Sequence, residues 1–184
     1  MAIQLKLLGD GKDLDTQIRL DTTKQLLNSV QVQIRNFVRQ TWPSPDAGDG
    51  VVLVREMQRV LSETGRLWDC ATSLSVEPQD ATVPAPIGGQ LSLMLAEAVS
   101  NAVRHGGVSA VNVIIRKADS QLLVKVFANG RGFDGSPFNR EHEDLVASGA
   151  GPISLRERAG ELGGSLDVSS SPDGTELQIR VPMA

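Results

Sequence analysis

Aromatic side chains are scarce in this sequence: they make up 3% of the chain, and tyrosine is absent. The core must therefore be built from small aliphatic side chains, and an apolar share of 40% is sufficient for one. An excess of basic residues is also lacking, because the formal net charge at pH 7 is −4. This balance excludes a nucleic-acid-binding protein whose affinity comes from a basic surface.

Cysteine and histidine are almost missing as well. The single cysteine, Cys70, excludes an internal disulfide framework and suits a reducing compartment, so we expect a cytoplasmic protein in which Cys70 packs as a small hydrophobic side chain. His105 and His142 are the only histidines, which argues against zinc sites built from Cys and His. No apolar run is long enough to cross a membrane and no signal peptide pattern begins the sequence, so we expect no membrane segment in this chain.

A heptad pattern marks the N-terminal part of the chain. Apolar residues recur at heptad spacing between Thr16 and Thr41: Leu20, Leu27, Val30, Ile34 and Phe37. The pattern predicts a long helix that packs against another helix or a second copy of the chain, and the alternative is an amphipathic helix on the domain's own core. Pro43 and Pro45 end this helix. We therefore expect a helical region at 1–45 and a second domain at 46–184.

Helical periodicity returns three times in the second domain. The first helix is predicted over Val51–Thr64, with an inner stripe of Val51, Val54, Met57 or Gln58, and Leu61. The second is predicted over Leu91–Gly106, after a stretch broken by prolines and glycines at positions 84, 86, 88 and 89. The third is predicted over Ser154–Leu162 and ends at Gly163 and Gly164.

Strand-like alternation separates these helices. It occurs in Trp68–Val76, Val111–Arg116, Leu122–Phe127, Ser165–Ser169 and Glu176–Val181. Between Ala128 and Gly151 neither period is present, which predicts a long functional loop. The short turns between neighbouring strands predict an α/β fold of two layers, in which a mixed, mostly antiparallel sheet is covered by helices on one face.

The helix predicted over Leu91–Gly106 carries polar residues on one side. Glu97, Asn101 and His105 follow at i, i+4 and i+8 and form a ridge. A carboxylate, an amide and an imidazole in line can hold a hydrated metal and a phosphate. The alternative interpretation is a solvated helix face.

Three glycine-bearing segments follow that helix. Asn129-Gly130-Arg131-Gly132 comes directly after a strand, Gly149-Ala150-Gly151 leads into a helix, and Gly174-Thr175 opens the last strand. Glycines let a backbone approach a nucleotide closely, and a helix N-terminus presents free N–H groups to phosphate. The order of these segments after a Glu-x-x-x-Asn helix is more specific than any one of them.

At these residues the sequence resembles the ATP-binding domain of two-component sensor histidine kinases, within the gyrase/Hsp90/kinase/MutL ATPase superfamily. Its nitrate-sensor and lipid-fluidity-sensor subgroup has an N box E-A-x-x-N-A-x-x-H, which Glu97–His105 match. The first glycine box, D-N-G-x-G-F, is matched by residues 128–133 except at Ala128. The second, G-x-G-L-x-G-M-R-E-R-A with a following L-G-G, resembles residues 149–159 and 162–164, and the closing P-x-G-T matches residues 172–175.

The resemblance implies a Bergerat-type fold that binds ATP and Mg²⁺. Asn101 would ligate Mg²⁺, Glu97 would orient a metal-bound water or act as a base, and His105 would approach the phosphates. Further residues would frame the nucleotide: Asn129, Gly130, Gly132, Gly149, Gly151, Gly174 and Thr175. Residues 134–152 would form a lid. A weaker similarity over Thr16–Pro43 to the second helix of the family's dimerisation bundle implies that 1–45 is a partial helical dimerisation region, and that the Thr16–Thr41 helix forms a homodimer.

The sequence departs from the family pattern at the residue that contacts adenine, at the start of the third helix and at the phosphoacceptor histidine. The family's first-box aspartate accepts a hydrogen bond from the adenine amino group. Ala128 stands at this position and has no polar side-chain atom, which weakens the free energy of ATP binding by about 1.5–3 kcal/mol. Pro152 replaces a leucine and has no N–H for phosphate, while Ser154 replaces a glycine. Neither histidine lies on a helix like the one that carries the family's phosphoacceptor.

These features predict an ATP-binding module of two-component signalling that lacks its own phosphoacceptor and binds ATP weakly. Its partners would be a response regulator or a partner kinase. The alternative function is that of a non-catalytic relative, a pseudokinase or anti-sigma-like protein that regulates by binding another protein. The sequence leaves open whether the chain is an enzyme.

Overall fold

Residues 50–118, 120–130, 132, 138–144 and 152–183 are described in the computed structural model. The predicted heptad helix and its predicted dimer contact lie outside these residues, as do Gly149, Gly151 and most of the expected lid. The division of the chain at 45/46 stays a prediction.

The elements follow one another in the chain as β1 (Val51–Val52), α1 (Leu53–Trp68), β2 (Ala71–Glu77), β3 (Thr82–Val83), α2 (Ala85–Gly106), β4 (Ala110–Ala118), β5 (Gln121–Asn129), β6 (Phe138–Arg140), α3 (Ile153–Glu161), β7 (Ser165–Ser171) and β8 (Gly174–Pro182). Six of the described strands form one sheet in the order β2-β4-β5-β8-β7-β6, and β1 pairs with β3. The β2–β4 pair is parallel and its neighbours are antiparallel. The predicted mixed, mostly antiparallel sheet is therefore confirmed.

The alternation of side chains puts the apolar residues of the sheet on one face. In β4, Val111, Val113 and Ile115 are buried, whereas the residues between them are exposed. The buried face joins one core with residues of all three described helices, including Leu61 of α1 and Leu155 of α3. Helices thus cover one face of the sheet, as predicted, and small aliphatic side chains supply the core.

The predictions for the first helix and the following strand were partly wrong. Helix α1 begins at Leu53, because Val51 and Val52 pair with β3. Its buried residues are Leu53, Met57, Val60, Leu61, Thr64 and Gly65, so the predicted stripe is confirmed at Met57 and Leu61. Val51 and Val54 are partly buried and pack against the same core, although Val51 belongs to β1 and not to the helix. Trp68 closes the helix instead of opening the strand, since the chain turns in the left-handed conformation at Asp69 (φ 49°).

Helix α2 begins earlier than predicted, at Ala85. A proline in the first turn of a helix leaves no hydrogen bond unmade, so Pro86 is compatible with this start. Gly88 is buried where a Cβ atom would lie 3.1 Å from the Cβ of Val51. The residues that resemble a helix-breaking stretch therefore pack α2 closely against the β1 region.

The stretch predicted as a loop after Ala128 contains a further strand. Phe138–Arg140 form β6, which pairs with β7 at the edge of the sheet. Next to it, the imidazole Nδ1 of His142 accepts a hydrogen bond from the backbone N–H of Leu166 at 3.2 Å. So short a strand is defined by its partner and leaves no periodicity in the sequence.

Across the described residues, no helix has the length and apolar character that a membrane span requires.

Cys70 is expected to react slowly with thiol reagents in the folded protein. The side chain is buried, and burial together with the nearby Asp69 carboxylate raises the pKa of the thiol. A raised pKa lowers the thiolate fraction at neutral pH, and the thiolate is the nucleophile. Iodoacetamide labelling followed by mass spectrometry should be roughly tenfold or more slower in native buffer than in denaturant. Equal rates would show that Cys70 is accessible.

Candidate functional site

A cleft with a volume of about 320 Å³ lies between α2 and the sheet. Helix α2, strands β5 and β8 and the start of α3 contribute to its walls, together with Val108 and Gly132 from the connecting segments. The lining residues are Ala98, Asn101, Ala102, His105, Gly106, Val108, Val126, Ala128, Asn129, Gly132, Pro152, Leu155, Thr175 and Leu177. Several residues of the predicted site are therefore brought together here, namely Asn101, His105, Asn129, Gly132 and Thr175.

Helix α2 brings two polar side chains to the cleft. Its apolar side, which includes Met94, Leu95 and Val99, is buried in the core and fixes the rotation of the helix. Asn101 and His105 then reach the cleft, where Asn101 is half-buried and His105 is exposed. An amide and an imidazole on the wall of a cleft can contact an anionic ligand.

Glu97 does not line the cleft, although it belongs to the same predicted ridge. Its carboxylate Oε1 accepts a hydrogen bond from the Ser154 hydroxyl, in the first turn of α3. The first residue of the ridge therefore lies at the rim, between α2 and α3.

The sheet side of the cleft is an apolar slot. Val126 and Ala128 of β5 face Leu177 and Thr175 of β8, which are their partners in the strand register. Thr175 is the one hydroxyl-bearing side chain among the described lining residues, and none of them is Asp, Glu, Lys or Arg. An apolar slot of this kind accommodates a flat aromatic ligand, but Ala128 offers that ligand no hydrogen-bonding side-chain atom.

Asn129 has a structural role that its motif did not reveal. Its Oδ1 accepts hydrogen bonds from the backbone N–H groups of Ser109, at 3.1 Å, and Ala110, at 2.9 Å. Its Nδ2 donates to the Ser109 hydroxyl at 3.2 Å. The side-chain amide thus ties the end of β5 to the turn that follows α2, so Asn129 holds two walls of the cleft together.

Replacing Asn129 by alanine is expected to lower the free energy of unfolding by about 1 kcal/mol, because two backbone donors lose their acceptor at a partly exposed position. Urea denaturation followed by circular dichroism measures the change. Asn112→Ala is the matched control, since the amide of Asn112 bonds a single hydroxyl, that of Ser73, on the exposed face. A loss no larger than that of the control would contradict the bridging role.

Two glycines of the predicted site serve backbone packing. Gly130 has φ 132°, and a Cβ atom there would lie 2.7 Å from the carbonyl oxygen of Gly106. Gly174 has φ 145° and approaches the carbonyl oxygen of Ala128 so closely that a Cβ atom would overlap it. Neither lines the cleft, so their assignment to ligand binding stays a prediction, whereas the structure supplies a packing reason for both.

The donor set suits a magnesium ion that arrives with a ligand better than a resident metal. In the part of the chain that is described, no three residues among His, Cys, Asp and Glu are grouped so that they could hold a metal ion. Mg²⁺ in nucleotide sites takes one or two protein oxygens and completes its shell with phosphate oxygens and water. The amide oxygen of Asn101 is a donor of this kind, which fits that mode of binding.

Sequence reasoning missed the apolar lining of the cleft and the contact between Ser154 and Glu97. Val126, Leu155 and Leu177 have the spacing of core residues, and nothing in their pattern separates a cleft wall from a core. For Ser154 a signal existed, because a serine stands where the resembled family has glycine.

The sequence over residues 88–184 matches the family described as histidine kinase-, DNA gyrase B-, and HSP90-like ATPase. That match covers just over half of the chain's 184 residues. It includes α2 from Gly88 onward, the cleft and every residue of the predicted site.

Individual relatives are similar over a comparable length of the chain. The sensor histidine kinase LiaS of Bacillus subtilis is 36% identical over 106 residues, which are 57% of this chain and 28% of LiaS. The sensor protein VraS of Staphylococcus aureus is 32% identical over 108 residues, which are 58% of this chain and 29% of VraS. The chain therefore spans less than a third of the length of these curated relatives.

Solved structures support the fold. The histidine kinase domain of the blue-light activated histidine kinase of Erythrobacter litoralis EL346 superposes with a TM-score of 0.60 at 20% identity, covering 86% of this chain and 74% of that one. The ATP-binding domain of PrrB from Mycobacterium tuberculosis superposes with a TM-score of 0.59 at 23% identity, covering 76% of this chain and 99% of that one. The predicted Bergerat-type fold is thus confirmed.

Proposed function

We propose that the cleft binds Mg-ATP, because this chain belongs to the histidine kinase-, DNA gyrase B-, and HSP90-like ATPase family. The affinity would be weakened in the apolar slot around Ala128, which would hold the adenine base and is called the base end below. One observation carries the proposal: α2 presents Asn101 and His105 to a cleft that is lined on the sheet side by an apolar slot around Ala128 and Thr175. The domain would then serve as the nucleotide-binding module of a two-component signalling protein.

Each end of the cleft has a distinct task in this proposal. The amide oxygen of Asn101 would ligate Mg²⁺, the imidazole of His105 would approach the phosphates, and Glu97 would orient a metal-bound water or act as a base. Thr175 and the backbone around Asn129, Gly130, Gly132 and Gly174 would frame the nucleotide, together with Gly149 and Gly151. Bound ATP would supply a phosphoryl group, and the protein's share would be positioning and charge neutralisation.

The base end supports weak binding. Ala128 is 5% exposed and lies beside Thr175, so an adenine in the slot would gain apolar contact without a carboxylate acceptor. A hydrogen bond to a charged group contributes about 1.5–3 kcal/mol, which is roughly ten- to a hundredfold in affinity.

Ala128 also favours a second candidate function. A relative that no longer needs ATP would keep the fold and act by binding a kinase or another regulator, and an alanine at the base end suits such a protein. The retained Asn101 and His105 in the cleft favour nucleotide binding instead.

Several features of the whole protein are part of the proposal. We place it in the cytoplasm, as a homodimer through the Thr16–Thr41 helix, with a response regulator or a partner kinase as its partner. The heptad spacing and the single cysteine support this. His105 lies in the last turn of α2 and His142 follows β6, so we propose that neither histidine of this chain is a phosphoacceptor and that the chain lacks its own. Membership of the nitrate-sensor and lipid-fluidity-sensor subgroup rests on the motifs at residues 97–105 and 149–164.

Titration calorimetry with Mg-ATP tests the proposed function on the full chain. We expect a Kd on the order of 0.1–1 mM, because the base end lacks its acceptor. Asn101→Ala should weaken binding further by about tenfold, while Asn112→Ala, whose side chain lies on the exposed face of β4, should not. A low-micromolar Kd would contradict the weakening, and the absence of binding in both the wild-type chain and Ala128→Asp would favour the protein-binding regulator.

A further inference from the structure

The carboxylate of Glu97 is held by a residue of another helix. The hydroxyl of Ser154, an exposed residue in the first turn of α3, donates a hydrogen bond to Glu97 Oε1. Glu97 is half-buried on α2, one turn before Asn101. The contact joins residues that are 57 positions apart in the sequence, so it depends on how the two helices dock.

The docking of α3 on α2 is fixed by contacts of the residues that follow Ser154 in the helix. Leu155 and Ala159 are fully buried in the core. Farther along α3, the Arg158 Nη1 donates to Gln90 Oε1 of α2 at 3.0 Å. Ser154 is therefore presented to Glu97 by a helix that buried apolar contacts and a second polar contact hold in place.

We propose that Ser154 is a positioning residue, which holds the Glu97 carboxylate at the rim of the cleft for its task beside the metal. The inference rests on the proposed function of the cleft. The hydrogen bond engages Oε1 and leaves Oε2 as the acceptor for a metal-bound water. The glycine that the resembled family has at this position has no side chain to make the contact.

The position of Ser154 links the carboxylate to the cleft wall. Its neighbours Pro152 and Leu155 both line the cleft. A ligand that displaces the start of α3 would therefore move the hydroxyl that holds Glu97. The position of the Glu97 carboxylate thus depends on the residues around Pro152.

A double-mutant cycle tests the contact without any nucleotide. Ser154→Ala and Glu97→Ala are made singly and together, and urea midpoints are measured. We expect the combined shift to differ from the sum of the single shifts by about 0.3 M. Ser100→Ala is the matched control. The Ser100 hydroxyl donates a hydrogen bond to the main-chain carbonyl oxygen of Glu97 at 3.0 Å, and this hydrogen bond remains when Glu97 is replaced by alanine. An additive Ser154 cycle would overturn the proposal.

Nucleotide binding then tests the positioning role. The ratio of the ATP Kd in EDTA to the Kd with Mg²⁺ measures the metal-dependent gain in affinity. Ser154→Ala should reduce this ratio about threefold, as expected for a weakened charged hydrogen bond at an exposed site. Ser154→Thr keeps the hydroxyl and should restore the ratio, and Ser100→Ala should leave it unchanged.

The outcomes separate this inference from the proposed function. An unchanged ratio in Ser154→Ala, with ATP still bound, overturns the positioning role and leaves the proposed function intact. If the wild-type chain binds no nucleotide, the proposed function fails, and the positioning role fails with it even where the cycle shows coupling. Failure of the threonine variant to restore the ratio also counts against a role for the hydroxyl.

Discussion

Ala128→Asp is expected to bind Mg-ATP about ten- to a hundredfold more tightly than the wild-type chain. Ala128 lies on β5 in the wall of the apolar slot, opposite Thr175 of β8. A carboxylate there would supply the acceptor for the adenine amino group that the slot lacks. Titration calorimetry on both proteins measures the gain, and GTP should show a smaller one, because its base presents a carbonyl oxygen where adenine presents an amino group.

The same substitution should destabilise the protein in the absence of nucleotide. Position 128 is 5% exposed and is surrounded by core residues such as Val126 and Leu177. A carboxylate without a partner in such a place lowers the free energy of unfolding by about 1–3 kcal/mol. Urea denaturation with and without ATP should show that the nucleotide recovers part of the loss, since a ligand that binds the folded state stabilises it.

Ala71→Asp is the control for this experiment. Ala71 begins β2 at an exposed position and does not line the cleft. It adds the same charge without a contact to the ligand, so ATP affinity and stability should stay near the wild-type values. If Ala128→Asp and Ala71→Asp bind ATP equally, the base of the nucleotide does not lie in the slot, and the weakness of the cleft has another origin.

The strands and the second helix could be predicted because their periodicity has a local cause. The alternation in β4 follows from one buried face, and the apolar spacing of α2 follows from one buried side. The failures arose where contacts distant in sequence decided the outcome. Trp68 continues the alternation of β2 in the sequence, yet it closes α1, and β6 exists through its pairing with β7.

The polar ridge of α2 shows why the site was only partly predictable. Four residues of an α-helix turn the chain by about 400°, so residues at i, i+4 and i+8 drift by about 40° at each step. Glu97 and His105 therefore point about 80° apart, and the cleft receives Asn101 and His105 but not Glu97. The sequence identified the three residues, but the rotation of α2 about its axis decides which of them line the cleft.

Glycine at position 174 connects the stability of the sheet with the shape of the cleft. Gly174 begins β8, is buried, and pairs with Asn129 in the register of β5. Its φ of 145° is a conformation that side chains disfavour, and a Cβ atom would overlap the carbonyl oxygen of Ala128. Backbone opposes backbone here, so no side chain can rotate away to relieve the overlap.

Gly174→Ala is expected to lower the free energy of unfolding by about 2–4 kcal/mol, from the strained φ and the forced separation of β5 and β8. Because Ala128 and Thr175 lie beside this point and line the cleft, ATP binding should weaken in the protein that remains folded. Urea denaturation and calorimetry on the same sample measure the two effects.

Gly160→Ala provides the matched control. Gly160 is an exposed residue within α3, and a Cβ atom there would meet nothing within 4 Å. Alanine is favoured over glycine inside a helix, so this variant should gain about 0.5–1 kcal/mol and keep the affinity of the wild-type chain. A Gly174→Ala protein as stable as the wild type would mean that β8 can shift without loss. The close approach of Gly174 to Ala128 would then set neither the stability of the sheet nor the width of the slot.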